Sequence, residues 1–226
     1  MKKSTLLIVT ILFSVVSSAQ CESTRSFGGK SICLPKVLGM TESYGDSYTK
    51  IFMDQFKGTP GEKIIGVYLL DDVYDSRHST FYEDGAGDDY IKMFSLSDIE
   101  YLTAGKAELD MVFDAMTDIF KDMSGGDYYE KAANKLVDEG LFESVEIGAP
   151  TMIESYSLNS LSRSCVLLVK MNVEGEAFIQ TQTLNVIILK NRMFMYAYYK
   201  LYEGPESIKE AKQNSDFFGY SLFSNN

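Results

Sequence analysis

Residues 163–202 decide the fold, and they read RSCVLLVKMNVEGEAFIQTQTLNVIILKNRMFMYAYYKLY. Three strand-like runs, 163–173, 176–190 and 192–202, are separated only by Glu174-Gly175 and by Asn191. Connections this short force neighbouring strands to run antiparallel. The sequence therefore predicts a three-stranded meander.

Helical patterns flank the meander on both sides. Residues 106–123 place apolar side chains at gaps of three and four, which indicates a helix with one continuous buried stripe. After Ser124-Gly125-Gly126, Asp127 and Glu130 have the spacing of a capping box and predict a second helix. Gly204-Pro205-Glu206 opens a final helix, because proline is favoured in the first helical turn.

The rest of the chain is mostly strand-like. We predict extended structure over 31–43, strands over 48–56, 64–74 and 90–101, and a further strand within 143–157. The order is strands, two helices, strands and a helix, which is not the alternation of a doubly wound nucleotide-binding fold. We therefore predict an α+β fold: an antiparallel sheet with helices packed on it, ending in the C-terminal three-stranded meander followed by a helix.

The first 19 residues have the charged, apolar and small-residue order of a secretory signal. Ser17-Ser18-Ala19 places small residues before a cut ahead of Gln20. We expect a signal peptide over 1–19, a flexible mature N-terminus over 20–29 and a single α+β domain over 30–226. The working protein is then secreted or periplasmic, with no transmembrane segment in the mature chain.

Three cysteines follow the signal: Cys21, Cys33 and Cys165. An exported chain can oxidise one pair, and one thiol is then left over. A Cys21–Cys33 bridge would fix the new N-terminus and a Cys33–Cys165 bridge would join two strands; the sequence does not choose between them. Lipidation of Cys21 is an alternative, but we prefer simple cleavage because Gln20 is not the small residue that a lipobox needs.

The chain is acidic, with 21 Lys+Arg, 32 Asp+Glu and a net charge of −11. It becomes more acidic when Lys2 and Lys3 leave with the signal. Such a chain repels nucleic acid and anionic membranes, so neither is an expected partner. The charge favours basic partners or divalent cations, or it serves solubility alone.

Catalytic motifs do not assemble into a set. His78 is the single histidine, it lies in an acidic loop, and no Gly-x-Ser-x-Gly elbow is present in the sequence. We therefore expect His78→Ala to leave any activity nearly intact. Paired carboxylates could hydrolyse glycosides, but no pair stands out and the chain has no tryptophan to bind a sugar.

Residues 71–89 form an acidic loop that offers oxygen ligands around flexible glycines. Asp84, Asp88 and Asp89 are the candidate calcium ligands, although their spacing does not match an EF-hand. A solvated acidic loop explains the same residues, and we expect no cofactor.

Two further groups of side chains are candidate binding surfaces. Acidic residues at steps of four form a stripe on the 106–123 helix, where like charges repel unless they meet a basic partner or a cation. Both faces of the last strand are bulky, and its tyrosine-rich face is either covered by a helix or exposed for binding. The stripe consists of Asp110, Asp114, Asp118 and Asp122, and the tyrosine-rich face includes Phe194, Tyr196, Tyr198 and Tyr202.

The extended start Ser31-Ile32-Cys33-Leu34-Pro35, the central helix and the closing meander plus helix together resemble the PsbP-like α/β/α sandwich. The likeness is one of element order over roughly 30–223. Such folds resemble accessory and binding proteins more than enzymes, and no functional residue is carried over. The Ala19-Gln20 boundary is similar to that of small exported bacterial proteins.

These patterns lead to three hypotheses about function. We expect an exported non-enzymatic binding or accessory protein of the bacterial envelope, whose partner is a protein or a small ligand. The first alternative is a carboxylate- or cation-dependent hydrolase that uses the acidic loop 71–89. The second is an envelope lipoprotein anchored through Cys21.

Overall fold

The structure is a computed structural model, and it describes residues 21–55, 57, 61–76, 89–122, 130, 133, 134, 137, 138 and 143–226. The predicted signal peptide 1–19, Gln20, His78, Asp84 and Asp88 lie outside the described residues.

The elements follow the chain from an N-terminal hairpin to a C-terminal helix. The strands are β1 Cys21–Phe27, β2 Lys30–Pro35, β3 Met40–Glu42, β4 Glu62–Leu70, β5 Tyr90–Leu96, β6 Val145–Ile147, β7 Thr151–Tyr156, β8 Ser162–Val173, β9 Glu176–Leu189 and β10 Arg192–Leu201. The helices are α1 Ser47–Gln55, α2 Asp71–Ser76, α3 Lys106–Asp122 and α4 Pro205–Asn225. In the described part of the predicted second helix, residues 130, 133, 134, 137 and 138 are helical.

The main sheet has eight antiparallel strands in the order β3-β4-β5-β10-β9-β8-β6, and β7 pairs with the same outer edge of β8 as β6 does. β1 and β2 form a separate antiparallel hairpin. The predicted α+β class is therefore confirmed, with the closing meander β8-β9-β10 followed by α4. No helix in the described part of the chain is long and apolar enough to span a membrane.

The turns of the meander show why the sequence predicted it well. Both connections are two residues long, Glu174-Gly175 and Lys190-Asn191, and all four residues have a positive φ. Tight hairpin turns need this backbone, and glycine and asparagine adopt it most readily.

Side chains of β10 alternate between the two faces of the sheet. Met193 and Met195 pack with Phe113 of α3, and we call this side the α3 face. Phe194 and Tyr196 pack with α4 and with the β1-β2 hairpin, and we call this side the α4 face. Both bulky faces of the strand are buried because helices cover opposite sides of the sheet.

The prediction of a strand over 48–56 is wrong, because Ser47–Gln55 form α1. The carboxylate of Asp46 caps this helix by accepting hydrogen bonds from two backbone amides of its first turn, at 3.0 and 3.3 Å. The buried side chains lie at helical spacing rather than on alternate residues; they are Thr49, Phe52 and Met53.

Two other predicted strands end early. β4 ends at Leu70, and Asp71–Ser76 form α2, so the predicted acidic loop begins as a helix. Asp71 and Asp72 lie in its first turn, where carboxylates interact favourably with the helix dipole. β5 ends at Leu96, and a 3-10 turn follows it.

The segment 20–29, which we expected to be flexible, forms β1 over Cys21–Phe27. Phe27 is fully buried, and its ring centroid lies 5.0 Å from that of Phe194 on β10. One large buried aromatic side chain at the end of a polar strand therefore anchors this segment to the core.

A close backbone approach fixes the turn of the β1-β2 hairpin. Gly28 has a φ of 55°, and a Cβ at this position would lie 2.0 Å from the backbone oxygen of Glu100. The Gly28 carbonyl accepts hydrogen bonds from the Arg192 guanidinium at 3.0 and 3.1 Å. The turn therefore requires glycine and docks onto the β9-β10 connection.

The structure joins Cys21 to Cys33 by a disulfide and leaves Cys165 as a buried free thiol. The bridge links β1 to β2 within the hairpin. Burial raises the pKa of the Cys165 thiol to about 12, so Cys165 behaves as a small apolar side chain in the core.

Candidate functional site

The tyrosine-rich face of β10 lies beneath α4. Phe194 and Tyr196 are fully buried, Tyr198 is 3% exposed, and Tyr202 is half-buried. The alternative of an exposed binding surface at Phe194, Tyr196 and Tyr198 is therefore corrected: a helix covers these side chains. The interface between α4 and the sheet is nevertheless unusual, because one part of it is apolar and the other part is polar.

The apolar part lies under the C-terminal half of α4. The Phe218 ring stands edge-on to the rings of Tyr68 and Tyr196, with both centroid distances 5.1 Å. A Cβ on Gly219 would lie 2.3 Å from the Tyr196 hydroxyl oxygen. Close backbone approach and aromatic packing therefore hold this half of the helix on the sheet.

The polar part begins at a buried hydrogen-bonded group. Ser164 Oγ donates to Asn185 Oδ1 at 2.6 Å, and Asn185 Nδ2 donates to Ser215 Oγ of α4 at 2.9 Å. The Tyr196 hydroxyl donates to the backbone oxygen of Ser215 at 3.1 Å. Strand β8, strand β9 and the helix are joined here by polar rather than apolar contacts.

Two threonines continue this polar part along β9 on the same face. Thr181 and Thr183 are fully buried, and their hydroxyl oxygens have no hydrogen-bond partner in the part of the chain that the structure describes. Thr181 lies opposite Lys200 and Thr183 lies opposite Tyr198 in the register of β9 with β10. A buried hydroxyl without a partner lowers the free energy of unfolding by about 1–3 kcal/mol, so two neighbouring ones destabilise the sheet interior.

A charged cluster closes this end of the face. The Tyr198 hydroxyl donates to Asp89 Oδ2 at 2.7 Å and accepts a hydrogen bond from Asn214 Nδ2 at 3.0 Å. Lys200 Nζ lies 3.1 Å from Asp89 Oδ2 and 3.4 Å from Glu210 Oε2. We call these five residues the Asp89 cluster.

The Asp89 cluster is suited to holding groups in place rather than to proton transfer. Burial raises the pKa of the Tyr198 phenol, and the neighbouring Asp89 carboxylate raises it further. The phenol is therefore protonated at neutral pH and acts as a hydrogen-bond donor. The Asp89 carboxylate is already paired with the ammonium of Lys200, which Glu210 shares.

Calcium should not stabilise the protein through Asp89. The Lys200 ammonium occupies the position beside the carboxylate that a cation would take, so we expect millimolar calcium to leave the melting temperature unchanged. Thermal unfolding with and without calcium measures this, because a ligand of the native state raises the melting temperature by mass action. A rise that disappears in Asp89→Asn would contradict the expectation.

The acidic stripe of α3 is not uniform. Asp110 forms ion pairs with Lys106 and with Arg163 of β8, the latter at 2.8 Å. Asp114 and Asp118 are exposed, and the side chain of Asp122 lies outside the described residues. One end of the predicted stripe therefore ties α3 to the sheet.

This ion pair gives a prediction about pH. Lys106 and then Arg163 hold the pKa of Asp110 below its ordinary value of 3.8. A carboxyl group whose pKa is lowered by folding stabilises the folded state at pH values above its ordinary pKa. This stabilisation is lost as the pH falls through the lowered pKa. We expect Arg163→Ala to raise the Asp110 pKa toward its ordinary value in a side-chain NMR titration. Lys209→Ala, which removes a separate exposed pair with Glu206, should leave it unchanged; an unshifted Asp110 in Arg163→Ala would contradict this.

A buried ion pair on the α3 face was not predicted from the sequence. Lys92 Nζ of β5 lies 2.6 Å from Glu62 Oε1 of β4, and the two side chains are 9% and 3% exposed. On the same face the rings of Tyr90 and Tyr199 stack at a centroid distance of 4.2 Å. Burial raises the pKa of both phenols. A lysine and a glutamate on separate strands leave no motif, so only the strand register could have revealed this pair.

Comparisons with known proteins show little. The chain matches no family model and no curated protein. Among solved structures it is similar to the Ran-binding protein Mog1p of Saccharomyces cerevisiae, with 12% identity, a TM-score of 0.33, and coverage of 90% of this chain and 92% of that chain. A point mutant of Mog1 matches with 12% identity, a TM-score of 0.33, and coverage of 90% and 91%. A likeness this weak carries no argument about the function of this chain.

Proposed function

We propose that this chain is an exported, non-enzymatic binding or accessory protein of the bacterial envelope. The observation that carries the binding part is the Asp89 cluster, where the phenol, the carboxylate, the ammonium and the amide are all engaged with one another. An arrangement that holds groups in place without a nucleophile beside a base fits binding better than acid–base or nucleophilic catalysis.

The export part rests on the signal pattern of residues 1–19 and on the disulfide that follows it. Disulfides persist in oxidising compartments such as the periplasm and the cell exterior. The Cys21–Cys33 bridge also uses the sulfur atom that a lipid anchor on Cys21 would need. The bridge therefore supports a protein that is released after cleavage rather than a lipoprotein.

Processing gives a direct prediction. Intact mass analysis of the protein from an expressing bacterium should give a chain that starts at Gln20 and lacks two hydrogen atoms because of the Cys21–Cys33 bridge. Cys33→Ser should be cut at the same place, since the signal is unchanged, but it should lose the bridge. A diacylglycerol on Cys21, or an uncut chain, would contradict the proposal.

Binding is tested on the purified mature protein. We expect native mass spectrometry of material purified gently from envelope extracts to retain a protein partner or a small ligand. Hydrolysis of simple ester, glycoside or peptide substrates by the same material, at a rate abolished by Asp89→Asn, would contradict a non-enzymatic role.

A further inference from the structure

We infer that the polar layer beneath the N-terminal part of α4 is a binding site for a small uncharged polyol. The hydroxyl layer consists of Ser164, Thr181, Thr183, Ser207 and Ser215, all at most 5% exposed. This inference rests on the proposed binding function and names the class of its ligand.

The hydroxyls of Thr181 and Thr183, which have no hydrogen-bond partner among the described residues, mark the site. The side chains of a sheet that face a covering helix are normally apolar, and valine has nearly the shape of threonine without the hydroxyl. Elsewhere in the layer the polar groups are satisfied, as in the Ser164, Asn185 and Ser215 group. Local departures of this kind from good packing are typical of functional positions.

The charges around the site indicate the kind of ligand. Asp89 and Glu210 both contact the ammonium of Lys200, so these three charged groups are engaged with one another and keep one net negative charge, which disfavours an anionic ligand. The polar groups that remain available to a ligand are the two threonine hydroxyls, each of which can donate one hydrogen bond and accept up to two. Side chains two residues apart on a strand are separated by about 7 Å. A molecule with hydroxyls on several adjacent carbons therefore matches both the chemistry and the spacing.

A ligand could reach the hydroxyl layer if the N-terminal part of α4 moved away from the sheet. Its C-terminal half is held by Phe218 and Leu222, both fully buried, and by two hydrogen bonds of 2.9 Å between the Asn226 side chain and the backbone of Cys33. Within residues 205–214 the apolar side chain that is fully buried is the small one of Ala211, and the segment also makes polar contacts, such as Lys200 with Glu210 and Asn214 with Tyr198. Water can replace polar contacts at little cost, whereas exposing buried apolar area is unfavourable.

Two features at the start of α4 agree with this route. Gly204 precedes the helix with a φ of 149°, a backbone conformation that favours glycine, and no side chain of the described residues caps the helix there. A surface groove of about 310 Å³ opens beside it, and its lining includes Ser207 of the hydroxyl layer and three glutamates, Glu203, Glu206 and Glu210. Lifting of residues 205–214 would join the groove to Thr181 and Thr183.

The test uses Thr181→Val and Thr183→Val in the mature disulfide-bonded protein, with Thr151→Val on the exposed strand β7 as the matched control. Each core variant should raise the melting temperature by about 2–4 °C, because an unpaired buried hydroxyl is removed. Ribitol and glycerol, titrated separately, should shift the amide NMR signals of Thr181, Thr183 and Lys200 and slow hydrogen exchange over 205–214. The dissociation constant for the polyol should increase about tenfold in each core variant and stay unchanged in Thr151→Val.

Other outcomes overturn the inference. If the valine variants are stabilised but neither polyol shifts these signals in the wild type, the hydroxyls are merely unpaired. If the variants are destabilised without any polyol effect, a buried structural water satisfies them. A protein partner retained equally by the wild type and both valine variants, together with no polyol effect on the wild type, would remove this site while leaving the proposed binding function standing.

Discussion

Phe218→Ala should lower the free energy of unfolding by about 3–5 kcal/mol, the usual range for removing a fully buried phenylalanine. Its ring is fully buried between the rings of Tyr68 and Tyr196, with centroids 5.1 Å away in each case. The alanine variant leaves a cavity that the rigid aromatic neighbours cannot fill. It also loses the edge-to-face contacts, which add to the loss of buried area.

The adjacent residue supplies a matched control. Phe217 is 58% exposed, so Phe217→Ala should change the free energy of unfolding by less than about 0.5 kcal/mol. Urea denaturation of both variants and the wild type measures the difference. Equal effects of the two substitutions would mean that α4 does not dock through the face described above.

Much of the fold could be predicted from local signals. The meander was predictable because its turns are two residues long and because Gly175 and Asn191 suit a positive φ. The α3 helix, Lys106–Asp122, and the proline-led start of α4 were predictable because they carry helical spacing and a helix-start residue. These elements need no information from distant parts of the chain.

The errors arose where long-range contacts decide. β1 has a polar, flexible-looking sequence and is ordered through the burial of Phe27, the pairing with β2 and the disulfide. α1 was predicted as a strand because its capping residue Asp46 was not recognised. Each error concerns a short segment whose structure depends on partners that are remote in sequence or on a single capping contact.

In the candidate site, too, single residues were predictable from the sequence but their contacts were not. The sequence singled out Tyr198 and Asp89 separately, as members of a tyrosine-rich face and an acidic loop. Their contact depends on the pairing of β10 with β5, which brings Tyr198 opposite Ile91 and so near the residue that precedes β5. Thr181 and Thr183 gave no signal, because a threonine in a strand is ordinary until its neighbours show that its hydroxyl is buried and unpaired.

The buried ion pair on the α3 face should produce the second large effect. Lys92→Met removes the ammonium that lies 2.6 Å from a glutamate whose side chain is only 3% exposed. Breaking a buried pair from one side typically costs about 3–5 kcal/mol, because the remaining charge loses a close counter-charge but stays out of water. We therefore expect Lys92→Met to destabilise the protein strongly, although methionine keeps most of the lysine side chain's length.

A double-mutant cycle separates the charge from the packing. Lys92→Met combined with Glu62→Leu removes both charges, and we expect it to recover most of the stability lost in Lys92→Met, because two apolar side chains of similar volume need no counter-charge. The control is Lys209→Met, whose pair with Glu206 has side-chain exposures of 62% and 78%. That substitution should change stability by less than about 0.5 kcal/mol.

The cycle also distinguishes two roles for Lys92. If the double variant is as unstable as Lys92→Met, the lysine stabilises the α3 face through contacts other than its ion pair with Glu62. If it recovers stability and keeps the native fold, the pair is not needed for stability. The two charges would then resemble the hydroxyls of Thr181 and Thr183 on the opposite face of the same sheet, which lack a hydrogen-bond partner among the described residues. In both places apolar side chains would be at least as stable.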